Sequence, residues 1–456
     1  MLLRILKINV IFVYQHNIPT DFSNRPMKTN CHNVFGTALA VAIALAGMAI
    51  QTAAAQVADQ PVCCHIAGEV IGDPECHRLL LTRYNADLRV NSCDTIEVDA
   101  NGRFTYDLRT RECDMYTIIA ENEYVSGRWY STDFFAENGA VNIRRYAFST
   151  KRRPEMTADG PINSEMLQME KKKMEMFFNA PAKELRMLEE SGRQLTPEAQ
   201  RLVKLMAEAK TEDERSAIEQ QCRALDEAGK AETPEYIAAR KRYGQAAAKS
   251  RDYTLRYAKD HPTLLGLYYL CQVAKSSQGA GGDLAERVAA IYDSLYVGRF
   301  RDSGLSRIMG NWLAQRNIKP GGRFIDFTAP DLQGNSHRLS EEISGRIALI
   351  DLWASWCGPC RRNSKAMMPV YEEFRDRGFT VVGVAREREA ENMRKAIEQD
   401  GYRWLNLLEL NDRAMIWERY GCGNGGGKTV LVDRDGTILA VNPKADEVRE
   451  VLSRKL

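Results

Sequence analysis

Cys357 and Cys360 enclose two residues in Trp356-Cys357-Gly358-Pro359-Cys360, directly after an apolar run and at the head of a helical pattern. That spacing puts both sulfurs on one helical turn, close enough to bond without large backbone movement. A cysteine at a helix start faces free N–H groups and the positive end of the dipole, which favour its thiolate. Pro359 is harmless there, because a first-turn N–H has no intrahelical partner. Lowering a thiol pKa from about 8.5 to about 7 takes roughly 2 kcal/mol. The dipole supplies about 0.3–1 kcal/mol, so hydrogen bonds must add a comparable amount, with the Cys360 N–H or thiol as the expected donor. The chemistry is thiol–disulfide exchange: Cys357 attacks a partner disulfide, a mixed disulfide forms, and Cys360 resolves it. No cofactor is called for. A structural zinc would want a second ligand pair, and this segment offers only Cys422 and His337, singly.

The flanking sequence must hold these sulfurs in place. Ala348 to Ala354 reads as a buried central strand. Met367, Met368, Val370, Tyr371 and Phe374 mark the apolar face of a helix, with a kink expected at Pro369. Phe379 to Ala385 is a second buried strand, Glu389 to Gln399 a helix, and Leu405 to Leu408 a short strand. Strands Thr429–Asp433 and Thr437–Val441 flank Arg434-Asp435-Gly436, and residues 445–456 close with a helix. This β-α-β-α-β-β-α order predicts an α/β sheet with helices on both faces. Asp351, inside the first strand, is costly to bury as an anion, so its pKa is expected to be raised. A purely structural, hydrogen-bonded Asp is the alternative.

Ile350-Asp351-Leu352-Trp353-Ala354-Ser355-Trp356-Cys357-Gly358-Pro359-Cys360 resembles the active-site stretch of thioredoxin. Phe327 to Asn335, with Leu339-Ser340 and Gly345, resembles exported thioredoxin-like proteins of the TlpA/ResA type. The resemblance runs from about Gly321 to Leu456, some 30% of the chain. It implies a thioredoxin-like thiol–disulfide oxidoreductase acting on disulfide-bearing proteins and recharged by an upstream donor such as a membrane thiol reductase. It implies that Asp351 assists proton transfer at the resolving thiol and that Trp356 lies beside the cysteines. Gly358-Pro359 resembles the reducing end of a potential range from about −270 to about −120 mV, hence a reductase or isomerase. A narrower implied role is reductant in cytochrome c maturation. Two positions depart from the family. Its cis-proline is replaced by Gly427, in the loop Gly423-Asn424-Gly425-Gly426-Gly427-Lys428, and its usual acidic residue and proline after the second cysteine are Asn363 and Lys365.

The whole chain has 456 residues, 44% of them hydrophobic, so it should form several domains rather than remain disordered. Its 63 basic and 61 acidic side chains give a net charge of +2, which argues against a nucleic-acid binder. Residues 1–55 read as a signal peptide, with a start at Met27, an apolar run from Val34 to Ile50, and cleavage after Ala55. Its removal leaves a net charge near −1 and places the protein in the periplasm or cell envelope; membrane association is expected only if this segment stays uncleaved. Residues 60–150 read as a β-sandwich-like domain, 160–317 as a helical region, and 320–456 as the thioredoxin-like domain. The β segment followed by helices is similar to the N-terminal region of Gram-negative envelope thioredoxin-like proteins.

Asn101-Gly102 is a strong hairpin signal. Thr196-Pro197 and Thr233-Pro234 read as helix starts, and Met166, Met169, Lys173, Phe177 and Ala180 as one helix stripe, a Met-rich face better suited to packing than to copper. Cys63, Cys64, Cys76, Cys93 and Cys113 should largely pair after export. Cys93 with Cys113, across the Asn101-Gly102 hairpin, is the first expected pair; the rest of the connectivity is open and one cysteine is left over. The group Cys63-Cys64-His65 with Cys76-His77 lacks normal zinc spacing. Cys222 and Cys271 read as buried thiols or a bridge, and Cys422 as an ordinary thiol or a third redox participant.

Two other functions compete with an oxidoreductase. A thiol peroxidase shares the Ala329-Pro330-Asp331 element by resemblance, but it would place Thr before a single reactive cysteine, where Trp356 and a vicinal pair stand here. A non-catalytic docking protein would keep its partners when Cys357 is changed to Ser.

Overall fold

The computed structural model describes residues 61–277 and 283–456; the expected signal peptide lies outside the described residues. These residues form two compact units. One comprises the described residues up to Leu81 together with Thr95–Tyr253, the other Thr82–Asp94 together with Thr254–Leu456.

The first unit begins with β1 (Val62–Ile71), β2 (Arg78–Arg83), β3 (Asp94–Glu97), β4 (Arg103–Thr110) and β5 (Met115–Ala120). Then follow α1 (Glu121–Val125), β6 (Thr132–Phe135), β7 (Gly139–Tyr146) and β8 (Glu155–Ala158). They make two four-stranded sheets, ordered β4-β1-β7-β8 and β3-β2-β5-β6. Alternation builds the core: Cys64 and Ile66 on β1 are buried with Phe104 and Leu108 on β4, whereas Cys63 and His65 point outward. The sandwich therefore matches the alternating sequence pattern.

The hairpin expectation is corrected. Asn101-Gly102 does form a tight turn, with the Gly102 N–H donating to the Asp99 carbonyl at 2.9 Å and Gly102 at φ 77°. However, the strands on either side belong to different sheets, so the turn is a corner between layers. Cys93 and Cys113 are thus not cross-strand neighbours, and no disulfide joins them; Cys63, Cys64, Cys76 and Cys113 are free thiols. Adjacent Cys63 and Cys64 face opposite sides of one strand and cannot converge on one partner.

Helices follow: α2 (Pro161–Lys173), α3 (Asn179–Glu190), α4 (Pro197–Glu208), α5 (Glu212–Glu227) and α6 (Pro234–Asp260). Thr196 caps α4 by accepting from the Ala199 N–H. The expected stripe holds through Met166, Met169 and Lys173, which are buried. A π-helical turn at Met174–Phe178 then advances the face by one residue, so Phe178 is buried while Ala180 is exposed.

The second unit contains α7 (Leu264–Ser276), α8 (Asp283–Leu295) and α9 (Gly304–Gln315), of which α7 is the most buried. A small hairpin, β9 (Thr328–Pro330) and β10 (Ser336–Arg338), and a turn of helix, α10 (Leu339–Glu342), lead to β11 (Ile347–Trp353) and α11 (Gly358–Phe374). The chain ends with β12 (Phe379–Glu387), α12 (Ala390–Asp400), β13 (Leu405–Leu410), α13 (Ile416–Arg419), β14 (Lys428–Val432), β15 (Ile438–Val441) and α14 (Ala445–Lys455). The five-stranded sheet is ordered β13-β12-β11-β14-β15, with β11 parallel to β12 and antiparallel to β14. Every residue of β11 and β12 is buried, as their near-continuous apolar sequence requires of strands covered on both faces. The helix α11 continues through Pro369, whose side chain is exposed on its outer face.

Candidate active site

The central strand β11 ends at the buried Trp353, and Ala354-Ser355-Trp356 turns the chain into α11. Cys357 is the N-cap of that helix, and its sulfur accepts a hydrogen bond from the Cys360 N–H at 3.3 Å. The expected donor is thus the backbone N–H. Cys357 and Cys360 form a disulfide with a Cα–Cα separation of 5.3 Å, an ordinary span for such a bond. Gly358 and Pro359 occupy the first two helical positions, where the proline deprives no carbonyl of a partner.

A second donor reaches the other sulfur. The Gly427 N–H lies 3.2 Å from Cys360 Sγ. A proline at this position has no N–H to give. The glycine is also sterically required: a Cβ there would sit 1.8 Å from the Leu352 carbonyl oxygen and 2.9 Å from Cys360 Sγ. Each sulfur therefore has one backbone donor aimed at it, and each thiolate released by opening the disulfide would be stabilised.

Asp351 lies at the middle of β11 with 3% of its surface exposed. Burial lifts its carboxyl to about 6, against the lowering effect of a hydrogen bond donated by Ser364 Oγ at 2.6 Å. The Ser364 hydroxyl also lies 3.0 Å from the Cys360 carbonyl, so one side chain links the buried acid to the cysteine-bearing turn. Ser364 escaped the sequence reading. Its signal was a lone hydroxyl, one turn beyond Cys360, in the otherwise apolar inner stripe Met367, Val370 and Phe374. Neighbouring Asn363 is exposed, and Lys365 pairs with Asp400, which Arg361 also grips at 2.5 Å.

Glu387 was also missed. It is fully buried at the end of β12, where burial raises its pKa, and it accepts from the Ser355 N–H at 2.5 Å and from Ser355 Oγ at 2.8 Å. It thereby fixes the turn between β11 and Cys357. Its signal was an acid at the end of an apolar strand, as costly to bury charged as Asp351 within its own. The Trp356 ring lies against Trp417, with centroids 5.9 Å apart. Burial pushes the Cys422 thiol up to about 12, which keeps it protonated and favours the plain thiol.

The C-terminal part of the chain is similar to known thiol–disulfide oxidoreductases. Residues 320–441 match the model of the AhpC/TSA family, and residues 64–165 match a domain of unknown function. Thiol-disulfide oxidoreductase ResA of Geobacillus thermodenitrificans is 26% identical over 135 residues, which are 29% of this chain and 75% of that protein. Thiol:disulfide interchange protein DsbE of Allochromatium vinosum is 25% identical over 139 residues, 28% of this chain and 73% of that protein. Among solved structures, the thioredoxin domain of a thiol-disulfide oxidoreductase from Bacteroides vulgatus is 32% identical, with a TM-score of 0.28, covering 30% of this chain and 96% of that one.

Proposed function

We propose that this chain, a thiol–disulfide oxidoreductase with a thioredoxin-like C-terminal domain, reduces or isomerises protein disulfides in the cell envelope through Cys357 and Cys360. The observation that carries the reading is the placement of both sulfurs at one helix start, each with a backbone N–H donor, beside a buried acid.

In the reducing direction, the Cys357 thiolate attacks one sulfur of the substrate disulfide. The other substrate sulfur leaves as a thiolate and takes up a proton. Cys360 gives its proton towards Asp351, and the Cys360 thiolate attacks Cys357 Sγ. The second substrate sulfur leaves, and the enzyme ends as the Cys357–Cys360 disulfide. Two electrons pass from the enzyme dithiol to the substrate, and an upstream thiol donor must restore them. A carboxyl near 6 accepts a proton at neutral pH and returns it in the reverse step.

Export rests on the apolar N-terminal run; no helix among the described residues is long and apolar enough to cross a membrane. The testing experiment is trapping. Cys360→Ser should accumulate mixed disulfides through Cys357, identifiable by mass spectrometry, and Cys357→Ser should accumulate none and lose turnover. Captured apocytochromes would select the cytochrome-maturation role. Partner binding unchanged in Cys357→Ser, with no trapped species in Cys360→Ser, would favour the docking alternative. Faster consumption of peroxide than of insulin disulfides would favour the peroxidase.

A further inference from the structure

We infer that residues 84–91 form a fixed brace for the thiol–disulfide site, and that Arg89 in this brace is a positioning residue that holds the Gly427 loop against Cys360. The inference rests on the site assigned above. The segment lies between β2 and β3 in the chain, yet Thr82–Asp94 belongs to the same compact unit as Thr254–Leu456.

Its base is anchored on α7, where Lys275 Nζ donates to the Tyr84 hydroxyl at 3.1 Å and to Asn85 Oδ1 at 2.9 Å. At its tip, Asp87 opens a turn closed by the Val90 and Asn91 N–H groups, and Val90 is fully buried. Arg89 forks onto the Asp87 carboxylate, with Nε to Oδ1 at 2.9 Å and Nη2 to Oδ2 at 2.6 Å. Asp87 Oδ2 also accepts from Arg386 Nη1 at 3.0 Å. Arg386, fully buried, forks in turn onto Asp412 with two bonds of 2.5 Å, and Asn91 Nδ2 reaches Asp412 at 2.7 Å. Two guanidinium groups and two carboxylates thus alternate, so that the buried Asp87, Arg386 and Asp412 satisfy one another, with the partly exposed Arg89 closing the chain.

Both guanidinium groups also grip the glycine-rich loop. Arg89 Nη2 donates to the Asn424 carbonyl at 2.6 Å, and Arg386 Nη1 donates to the Gly423 carbonyl at 3.0 Å. The same Arg89 guanidinium lies 4.0 Å from the centroid of the Trp356 ring. Arg89 therefore joins the two backbone segments on either side of the disulfide: the residue before Cys357 and the loop whose last N–H meets Cys360 Sγ. A loop with glycine at 423, 425, 426 and 427 has much freedom to lose, and the bond from the Gly425 N–H to the Cys422 carbonyl at 3.1 Å closes a turn at its start. The brace restrains it from outside, through the side-chain clamps of Arg89 and Arg386.

The test uses the full chain and three readouts. In Arg89→Ala, hydrogen exchange of the 423–427 amides should speed up at least tenfold, while β11 and β12 keep wild-type protection. Insulin-disulfide turnover should fall about tenfold, the loss expected from one charge-assisted hydrogen bond. Attack of Cys357 on 5,5′-dithiobis(2-nitrobenzoate) should stay within twofold, because Cys357 keeps its own N–H donor. Arg89→Lys, which retains the charge but not the planar fork, should fall between the two. Unchanged loop exchange and turnover in Arg89→Ala would overturn the inference. So would loss of protection across β11 and β12 together with all activity, which would make Arg89 merely structural. An inactive wild type would instead refute the oxidoreductase reading itself.

Discussion

Replacing Asp351 by Asn separates the energetic burden of the buried acid from its usefulness. Burial moves this carboxyl from 3.8 to about 6. A change of that size corresponds to roughly 3 kcal/mol of stability withheld once the group ionises. The sign follows from linkage: the folded value lies above the unfolded one, so the penalty is absent below about pH 4 and fully present above about pH 6. Asn cannot ionise, and its Oδ1 can still accept from Ser364. The variant should therefore be more stable than wild type by up to roughly 3 kcal/mol near pH 8 and equal to it near pH 3.5. Urea unfolding of the oxidised protein at a series of pH values measures this, followed by tryptophan fluorescence. Five of the six tryptophans lie in the second unit, so the signal reports the correct transition. In the same variant the resolution of a mixed disulfide by Cys360 should slow by about a hundredfold at neutral pH, since the proton acceptor is gone. A stability gain equal at every pH, or no gain, would refute the burial argument. Unchanged resolution would refute the proton-acceptor role.

Ser364→Ala should slow resolution less than Asp351→Asn and raise the Asp351 pKa further, visible as an upward shift in the pH midpoint of resolution. Gly427→Ala forces a Cβ into the Leu352 carbonyl and should destabilise the oxidised fold by about 1–3 kcal/mol in urea unfolding. Glycolic acid in place of Gly427, introduced by ligating a synthetic 422–456 segment at Cys422, removes only the N–H. It should raise the Cys360 thiol pKa, read from the pH dependence of alkylation in a Cys357→Ser background. Glu387→Ala leaves the Ser355 N–H without its acceptor and should lower stability by about 1–3 kcal/mol in the same urea assay.

What the sequence made legible was local. A seven-residue buried strand followed by an N-capping cysteine can be read from neighbouring residues alone, and so can the alternation of β1 and the threonine caps, Thr196 of α4 and Thr233, whose Oγ1 accepts from the Tyr236 N–H at the start of α6. Asp351 stood out because an acid within an apolar run needs a physical reason. Ser364 did not, because a serine in a helix stripe carries little signal until its partner is placed. The Cys93–Cys113 pairing failed because a turn specifies the corner of the chain and not the sheet each arm joins. The π-helical turn at Met174–Phe178 moved Phe178 inward for the same kind of reason: packing overrode a regular period. Arg89 had no local signal at all. It meets Asn424 across 335 residues of chain, a relation that only the folded backbone supplies.

Whether Cys357 and Cys360 cycle between dithiol and disulfide is measured by titrating the purified full chain in glutathione buffers of graded poise. Alkylation with mass readout at Cys357 and Cys360 reports the state of the pair. The pair should show a single two-electron transition with a midpoint between about −270 and about −120 mV, lost in Cys360→Ser. A pair that stayed locked as disulfide, or stayed open as dithiol, across that whole range would contradict it.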